Sequence, residues 1–410
     1  MTQATAAPNA RSSDTRTAAI VTIVLLIVSQ AFQGLVFGGV ALFLPRIRAE
    51  LGLTFAQAGT LSAASTFVYA LMQIPSGYLV DRFGPKRLFF IGAIGTNILG
   101  ATFALLDSYP WIIANQATAG FFRSLLFAPG LVLIASWFPA NRRATAMGLF
   151  VAGGFTSNIA LNLVGPFLEA RYGWRMPFFL FSGLGLVAAL AYYRFARERT
   201  GSVAGRASVR EALGLFRFKV MWVIGGIQYV RLSVAQGLAF WLPTLLVDQK
   251  GFELVDAGKL IALGALVSVP SNFLGGYLSD RLGRPLLVIA GSMAMLAVTT
   301  VMLAVATSPA LLVAIVCVNS MFIQLYFGPL FSVPIEMLGP QRAGISSGFS
   351  NFFANLGAFT FSFLIGALKD LTGTFNAGFF ALTACCIAGI GLTIVLAVIR
   401  RGWTPPAEGT

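Results

Sequence analysis

Long apolar runs, cut by short polar and basic turns, fill this chain from residue 18 to residue 399. A helix crosses the hydrocarbon core of a bilayer with about 20 predominantly apolar residues. Runs of that order lie at 18–45, 56–80, 88–107, 110–138, 145–168 and 175–195, then at 218–246, 257–279, 286–307, 310–335, 345–368 and 376–399. The pattern predicts twelve membrane-spanning helices. The connections are short except for one, a basic stretch from Arg194 to Lys219 that contains Gly, Ser and Ala. It reads as a cytoplasmic linker and divides the chain. Residues 1–17 are expected to be a disordered cytoplasmic tail without a cleavable signal peptide. Residues 18–195 form an N-terminal bundle, 196–217 the linker, 218–400 a C-terminal bundle, and 401–410 a second cytoplasmic tail.

Composition strengthens this reading. Hydrophobic residues make up 57% of the 410 and charged residues only 10%, whereas a soluble domain carries about 25% charged residues. Lipid is then the main solvent, and lipid leaves a backbone no partner but itself, which selects helices here. The net charge of +14 raises the question of nucleic acid, but its placement answers otherwise. With the N-terminus inside, 19 Lys and Arg residues fall in cytoplasmic segments and 7 in outer ones. That asymmetry is a topology signal. It predicts a multi-pass protein of the cell membrane (the inner membrane, if bacterial) with both termini cytoplasmic, and no nucleic-acid partner. Histidine is absent, and Cys317, Cys385 and Cys386 lie in apolar runs without metal-ligand spacing. No phosphate-binding loop or catalytic triad is evident, so neither an enzyme, a cofactor nor a metal site is expected.

The halves echo one another. Gly77-Tyr-Leu-Val-Asp81-Arg82-Phe-Gly84 recurs 199 residues later as Gly276-Tyr-Leu-Ser-Asp280-Arg281-Leu-Gly283. Both copies fall after the second span of their half. Parallel repeats of this kind relate two bundles about an axis along the membrane normal. The repeated segment resembles the cytoplasmic signature of the major facilitator superfamily, Gly-x-Leu-x-Asp-Arg-x-Gly. Trp137-Phe-Pro139 through Arg142, Arg143 and Gly148, Gly173-Trp174-Arg175, and Glu336 through Pro340, Arg342 and Gly344 resemble other turns of that family. The resemblance spans the chain. It implies an all-α fold of two pseudo-symmetric six-helix bundles, and alternating access to a central cavity lined mainly by spans 1, 4, 7 and 10. It also implies a conformational-switch role for Gly77, Asp81, Arg82, Gly84, Gly276, Asp280, Arg281 and Gly283. The plainer reading of the two turns is that their basic residues only fix topology.

Two basic residues escape the topology tally. Arg123 and Arg231 sit near the middle of spans 4 and 7, too deep to snorkel, and a central Arg costs about 2.5–3.5 kcal/mol on insertion scales. None of the 14 acids falls in mid-span, so pairing with a structural carboxylate is the weaker account. A guanidinium fork suits a carboxylate, and the pair predicts a substrate site for a small organic anion, a mono- or dicarboxylate. Gln33, Tyr229, Gln324, Tyr326 and Asn355 are the further substrate-binding candidates. Gln30, Asn158, Asn162, Asn319 and Asn351 are mid-depth polar residues that serve equally well as interhelical glue. Around span 4 the chain is similar to the anion:cation symporter group, in which a glutamate stands 14 residues before the tryptophan. Here that position is Arg123, with Gln116 where the group has its arginine. The group's proton relay is therefore missing, and a counter-anion or a proton carried by the substrate is the expected coupling partner. The chain is expected to act as a monomer. Two alternatives remain: a drug or metabolite exporter, and a transporter of an inorganic anion such as nitrate.

Overall fold

The computed structural model describes residues 8–138, 143–198, 217–338 and 343–401, and these are almost entirely helical with no strand among them. The N-terminal half comprises α1 (Pro8–Leu42), the short α2 (Leu44–Leu51), α3 (Phe55–Leu71), α4 (Gln73–Phe83), α5 (Pro85–Phe103), α6 (Tyr109–Trp137), α7 (Arg143–Tyr172) and α8 (Arg175–Phe195). The C-terminal half comprises α9 (Lys219–Thr244) with a π-helical turn at Leu245–Gln249, α10 (Leu254–Leu282), α11 (Pro285–Val305), α12 (Pro309–Leu325), α13 (Phe327–Leu338), α14 (Ala343–Thr372) and α15 (Asn376–Arg401). With α3–α4 and α12–α13 each taken as one broken rod, this order is consistent with twelve spans. Among the described residues, nine helices are long and apolar enough to cross a membrane.

The differences from the sequence reading have local causes. Residues 8–17, expected in a disordered tail, continue α1 as helix. Between Pro8 and the apolar run nothing breaks the helix, since the segment holds no further Pro and no Gly. The second and tenth spans, expected to be continuous, break at Met72 and Tyr326. Pro75 and Pro329 stand four residues after Leu71 and Leu325 and have no N–H to offer those carbonyls. Residues 199–216, most of the expected linker, and the turns holding Pro139, Arg142, Pro340 and Arg342 lie outside the described residues.

Helices α3 and α14 pack along each other across the two halves, as do α7 and α10. Glycine makes these approaches possible. A Cβ at Gly59 would strike the Ser362 carbonyl, one at Gly366 the Phe55 carbonyl, and one at Gly258 the Asn162 carbonyl. All three contacts lie toward the end of the bundle that carries α2, the end expected to face outside.

That end is sealed around Phe55. Its ring lies 6.2 Å from Trp241 and 5.5 Å from Phe375, both of the other half. The Arg48 guanidinium lies 4.0 Å from the ring centroid and the Lys369 ammonium 5.4 Å. Arg48 also bonds Asp248 across the seam at 3.1 Å. The start of α3 divides its orphan donors between the two halves. Thr54 and Gln57 form a capping box within the chain's own turn, while Phe55 N and Ala56 N donate to the Asp370 carboxylate at 2.9 and 2.7 Å. Nearby, within the N-terminal half, Arg175 and the Trp174 indole both donate to Glu50 and hold its carboxyl below the usual range.

Each polar contact in the seal is worth about 0–1 kcal/mol in such partly exposed settings. Replacing Asp248 and Asp370 together by Asn should therefore shift the population toward the form open at this end by roughly 5- to 30-fold. Spin labels at Arg171 and Leu371, with the three native cysteines replaced by alanine, should report a lengthened distance. Packing inside a half gives a contrasting pair. A Cβ at Gly120 would run into the Ser65 carbonyl, whereas one at Gly77 meets nothing within 4 Å. Overpacking costs about 1–3 kcal/mol, so Gly120→Val should lower the unfolding temperature in detergent while Gly77→Ala leaves it unchanged.

Candidate functional site

Between the halves, on the inner side of the seal, lies a cavity of about 460 Å³. Its wall comes from α1, α7, α9, α10 and α12, with Ser62 from α3, Gln116 from α6 and Leu303 from α11. Spans 1, 7 and 10 contribute as the family resemblance implied. Spans 5 and 8 contribute heavily too, because α7 and α10 meet at the seal, and span 4 supplies a single residue. The polar groups on the wall are Gln30, Ser62, Gln116, Ser157, Asn158, Asn162, Gln236, Ser268, Asn319, Ser320 and Gln324. All are neutral hydrogen-bonding side chains; among the described residues the wall holds no charged side chain. Of the seven predicted substrate-binding residues, only Gln324 lies on it.

Arg123 sits one side chain behind this wall. It lines a recess of about 20 Å³ beside the cavity, and Phe37, Val40 and Gln116 are common to both spaces. The guanidinium carbon lies 3.4 Å from the Phe37 ring centroid and 5.1 Å from that of Tyr69. Nη1 donates to Ser65 Oγ at 3.1 Å, and the buried Nε has no hydrogen-bond partner. No carboxylate among the described residues pairs with it. Arg remains charged in proteins, so a full positive charge is held in mid-membrane by one hydroxyl and two aromatic faces.

The second arginine is placed differently. Arg231 is 8% exposed; its Nε donates to Gln228 Oε1 at 2.8 Å, and its guanidinium lies 5.1 Å from the Phe327 ring centroid. The helix break at Tyr326 places Tyr326 and Phe327 on this side of α9. Tyr326 is fully buried, and its hydroxyl, like the Gln228 amide nitrogen, lacks a hydrogen-bond partner. Gln33 is buried in α1, where it accepts a long bond of 3.4 Å from Gln30. Tyr229 packs against the main hydrophobic core, which draws on both halves, and Asn355 donates to the Asn351 carbonyl at 2.8 Å on its own helix. The residues brought onto the wall without being singled out in the sequence are Gln236, Ser62, Ser157, Ser268 and Ser320. No spacing pattern marks them, because a Ser or Gln within an apolar run signals depth and not direction.

The repeated segments end α4 and α10. Gly84 and Gly283 cap these helices with φ of 81° and 59°, a conformation that glycine adopts without strain. Arg82 lies exposed beside Phe83, and Arg281 reaches the Tyr277 hydroxyl at 3.5 Å. Asp280 lies in the last turn of α10 and not at a helix N-terminus. Asp81 occupies the corresponding turn of α4, and its side chain is outside the described part. A Cβ at Gly77 or Gly276 would meet no neighbour within 4 Å.

Comparison with known proteins places this architecture. The family model described as Major Facilitator Superfamily matches residues 26–362. Over 432 residues the chain is 23% identical to a D-galactonate transporter of Escherichia coli O6:H1 (strain CFT073), covering 97% of the chain and 98% of that protein. It is 26% identical over 393 residues to a probable galactarate/D-glucarate transporter of Bacillus subtilis (strain 168), with 84% of each covered. A nitrite extrusion protein of the same organism is 23% identical over 358 residues, covering 85% of the chain and 87% of that protein. Among solved structures, a bacterial homologue of the human lysosomal transporter Spinster, in an inward-facing and occupied conformation, superposes with a TM-score of 0.78 at 16% identity. That match covers 94% of the chain and 98% of the homologue. Two helical halves about a central cavity, the repeated turn after the second span of each, and a match over most of its length lead to one conclusion: the chain is a member of the major facilitator superfamily of multi-pass membrane transporters.

Proposed function

We propose that the protein is a secondary active transporter of a small organic anion, a mono- or dicarboxylate, working by alternating access. The observation that carries this reading is Arg123, a permanent charge in mid-membrane that no carboxylate among the described residues neutralises. Intramembrane charges are costly and mark substrate pathways when they lack a structural counter-ion. Arg231 supplies a second cation on the opposite half, beside the donors of Gln228 and Tyr326. An anion that bridged the two would draw the halves together. The names of the relatives point the same way, since D-galactonate, galactarate and D-glucarate are all carboxylates. The neutral amides and hydroxyls of the cavity wall suit the hydroxyl groups of such acids.

The drug-exporter alternative needs a membrane carboxylate for its cation, and none lines the cavity among the described residues. The inorganic-anion alternative has the nitrite relative in its favour, but a cavity of about 460 Å³ lined by amides is in the range of sites for organic ligands. In this account the seal at Phe55 closes the outer side, so the state is inward-facing with both termini cytoplasmic, and the chain works as a monomer in the cell membrane. The Cβ positions of the switch residues Gly77 and Gly276 face open space in this state and become contact points when the inner side closes. With no Asp or Glu on the cavity wall among the described residues and no His in the chain, coupling falls to a counter-anion or to a proton that travels on the substrate.

The test is uptake of D-galactonate, D-glucarate and simple dicarboxylates into proteoliposomes. Truncating one member of a desolvated charge pair costs about 2–5 kcal/mol, so Arg123→Ala and Arg231→Ala should each reduce uptake at limiting substrate by about 30-fold or more. Loading the vesicles with an anion should accelerate uptake. Wild-type uptake by both variants would overturn the anion site, and uphill uptake with a fixed proton stoichiometry on an empty vesicle would overturn anion exchange.

A further inference from the structure

Phe37 is the only barrier side chain common to the cavity and the recess that also touches Arg123 face-on among the described contacts. A ligand in the cavity meets the ring of Phe37; behind the ring, at 3.4 Å, stands the guanidinium. We infer that Phe37 is a shutter over Arg123: its ring holds the guanidinium out of the empty cavity and turns aside when a carboxylate arrives to replace it. This rests on the anion-transport reading above and adds the residue that controls access to its charge.

Three observations argue for a moving ring. First, Arg123 is under-satisfied where it stands. Among the described residues its one side-chain acceptor is Ser65, and Nε is buried without a partner. An aromatic face attracts a cation but accepts no strong hydrogen bond, so a carboxylate that takes two N–H groups of the fork outcompetes it. Second, the backbone carrying Phe37 is fixed. At Gly34 a Cβ would strike Ser157, and at Gly38 it would lie 2.7 Å from Leu161, so α1 is pressed against α7 on both sides of Phe37. Uncovering Arg123 is therefore a side-chain rotation and needs no shift of α1. Third, Gln116 faces both spaces. Its amide can meet a carboxylate on the way from the cavity to the recess.

The consequence is selectivity. A competing ring raises the threshold for occupying Arg123, so a weakly bound ion such as chloride or nitrate fails to displace it while a chelating carboxylate succeeds. The neutral cavity wall then screens the rest of the molecule.

The direct measurement is the rate at which phenylglyoxal modifies Arg123 in the purified full-length protein, read by mass spectrometry of the peptide that contains it. A cation–π contact of a half-buried guanidinium lies between the exposed and desolvated limits and is worth about a tenfold change in an equilibrium, so Phe37→Ala should speed modification of Arg123 by about that factor and leave Arg231 unchanged. Phe37→Leu keeps the bulk but removes the aromatic face, and it should also speed modification; Phe37→Tyr should match the wild type. These paired variants keep the test valid if the alanine protein folds poorly. Nitrate should inhibit D-galactonate uptake more strongly in Phe37→Leu than in the wild type. Equal modification rates in the wild type, Phe37→Ala and Phe37→Leu would overturn the shutter while leaving the anion site standing. Faster modification in a protein whose Arg123→Ala variant transports normally would instead overturn the anion site, and with it the role given to the shutter.

Discussion

The seam between the halves is made of contacts that water can replace, and the rest of the molecule depends on that. Phe55 N and Ala56 N donate to Asp370 of the opposite half while the seam is shut. Once it opens, the same two N–H groups face solvent at an exposed helix start, so little is left unsatisfied. The Arg48–Asp248 pair behaves alike, with both side chains partly exposed. The apolar insertion of Phe55 against Trp241 and Phe375 gives the seam its register. A transporter needs two states of similar free energy. A seam built from small, replaceable terms meets that need, whereas a deeply buried ion pair would cost several kcal/mol to break.

Inside the seam the problem is reversed, because among the described residues no carboxylate lines the cavity. Arg123 and Arg231 are each answered by aromatic faces and neutral oxygens: Phe37, Tyr69 and Ser65 for the first, Phe327 and Gln228 for the second. For Arg123 such partners keep the guanidinium tolerable without a carboxylate among the described residues. Its positive charge is the feature on which the proposed anion site rests. Among the described residues the cavity wall carries no charge, so in the proposed function neutral groups and the anion are met by different parts of the site.

Much of this was legible in the sequence. The spans, the two halves and the special geometry of Gly84 and Gly283 follow from apolar run length, the repeat and the chemistry of glycine. The depth of Arg123 and Arg231 follows from counting along a helix. Direction around the helix axis does not. In a membrane protein both lipid and protein neighbours are apolar, so a span has no strong polar face to read. Gln33 and Asn355 were expected at the cavity and turn inward to their own helices, while Gln236 and Ser268 reach the wall unannounced. The breaks at Met72 and Tyr326 did carry a signal in Pro75 and Pro329, but many membrane helices hold a proline without breaking, as α6 does at Pro129. The placement of Phe37 between Arg123 and the cavity is purely tertiary, since the two residues lie on different helices with no pattern linking them.

The central claim is that the charge in mid-membrane awaits an organic anion. It is tested most directly by thermal unfolding of the purified wild-type protein with matched ligands. Aldonates, aldarates and simple dicarboxylates would be compared with the corresponding neutral sugars and with organic cations at equal ionic strength. The account predicts that at least one carboxylate raises the unfolding temperature while its neutral counterpart and the cations do not. Stabilisation by a neutral sugar equal to that by its acid, or by cations alone, would contradict it.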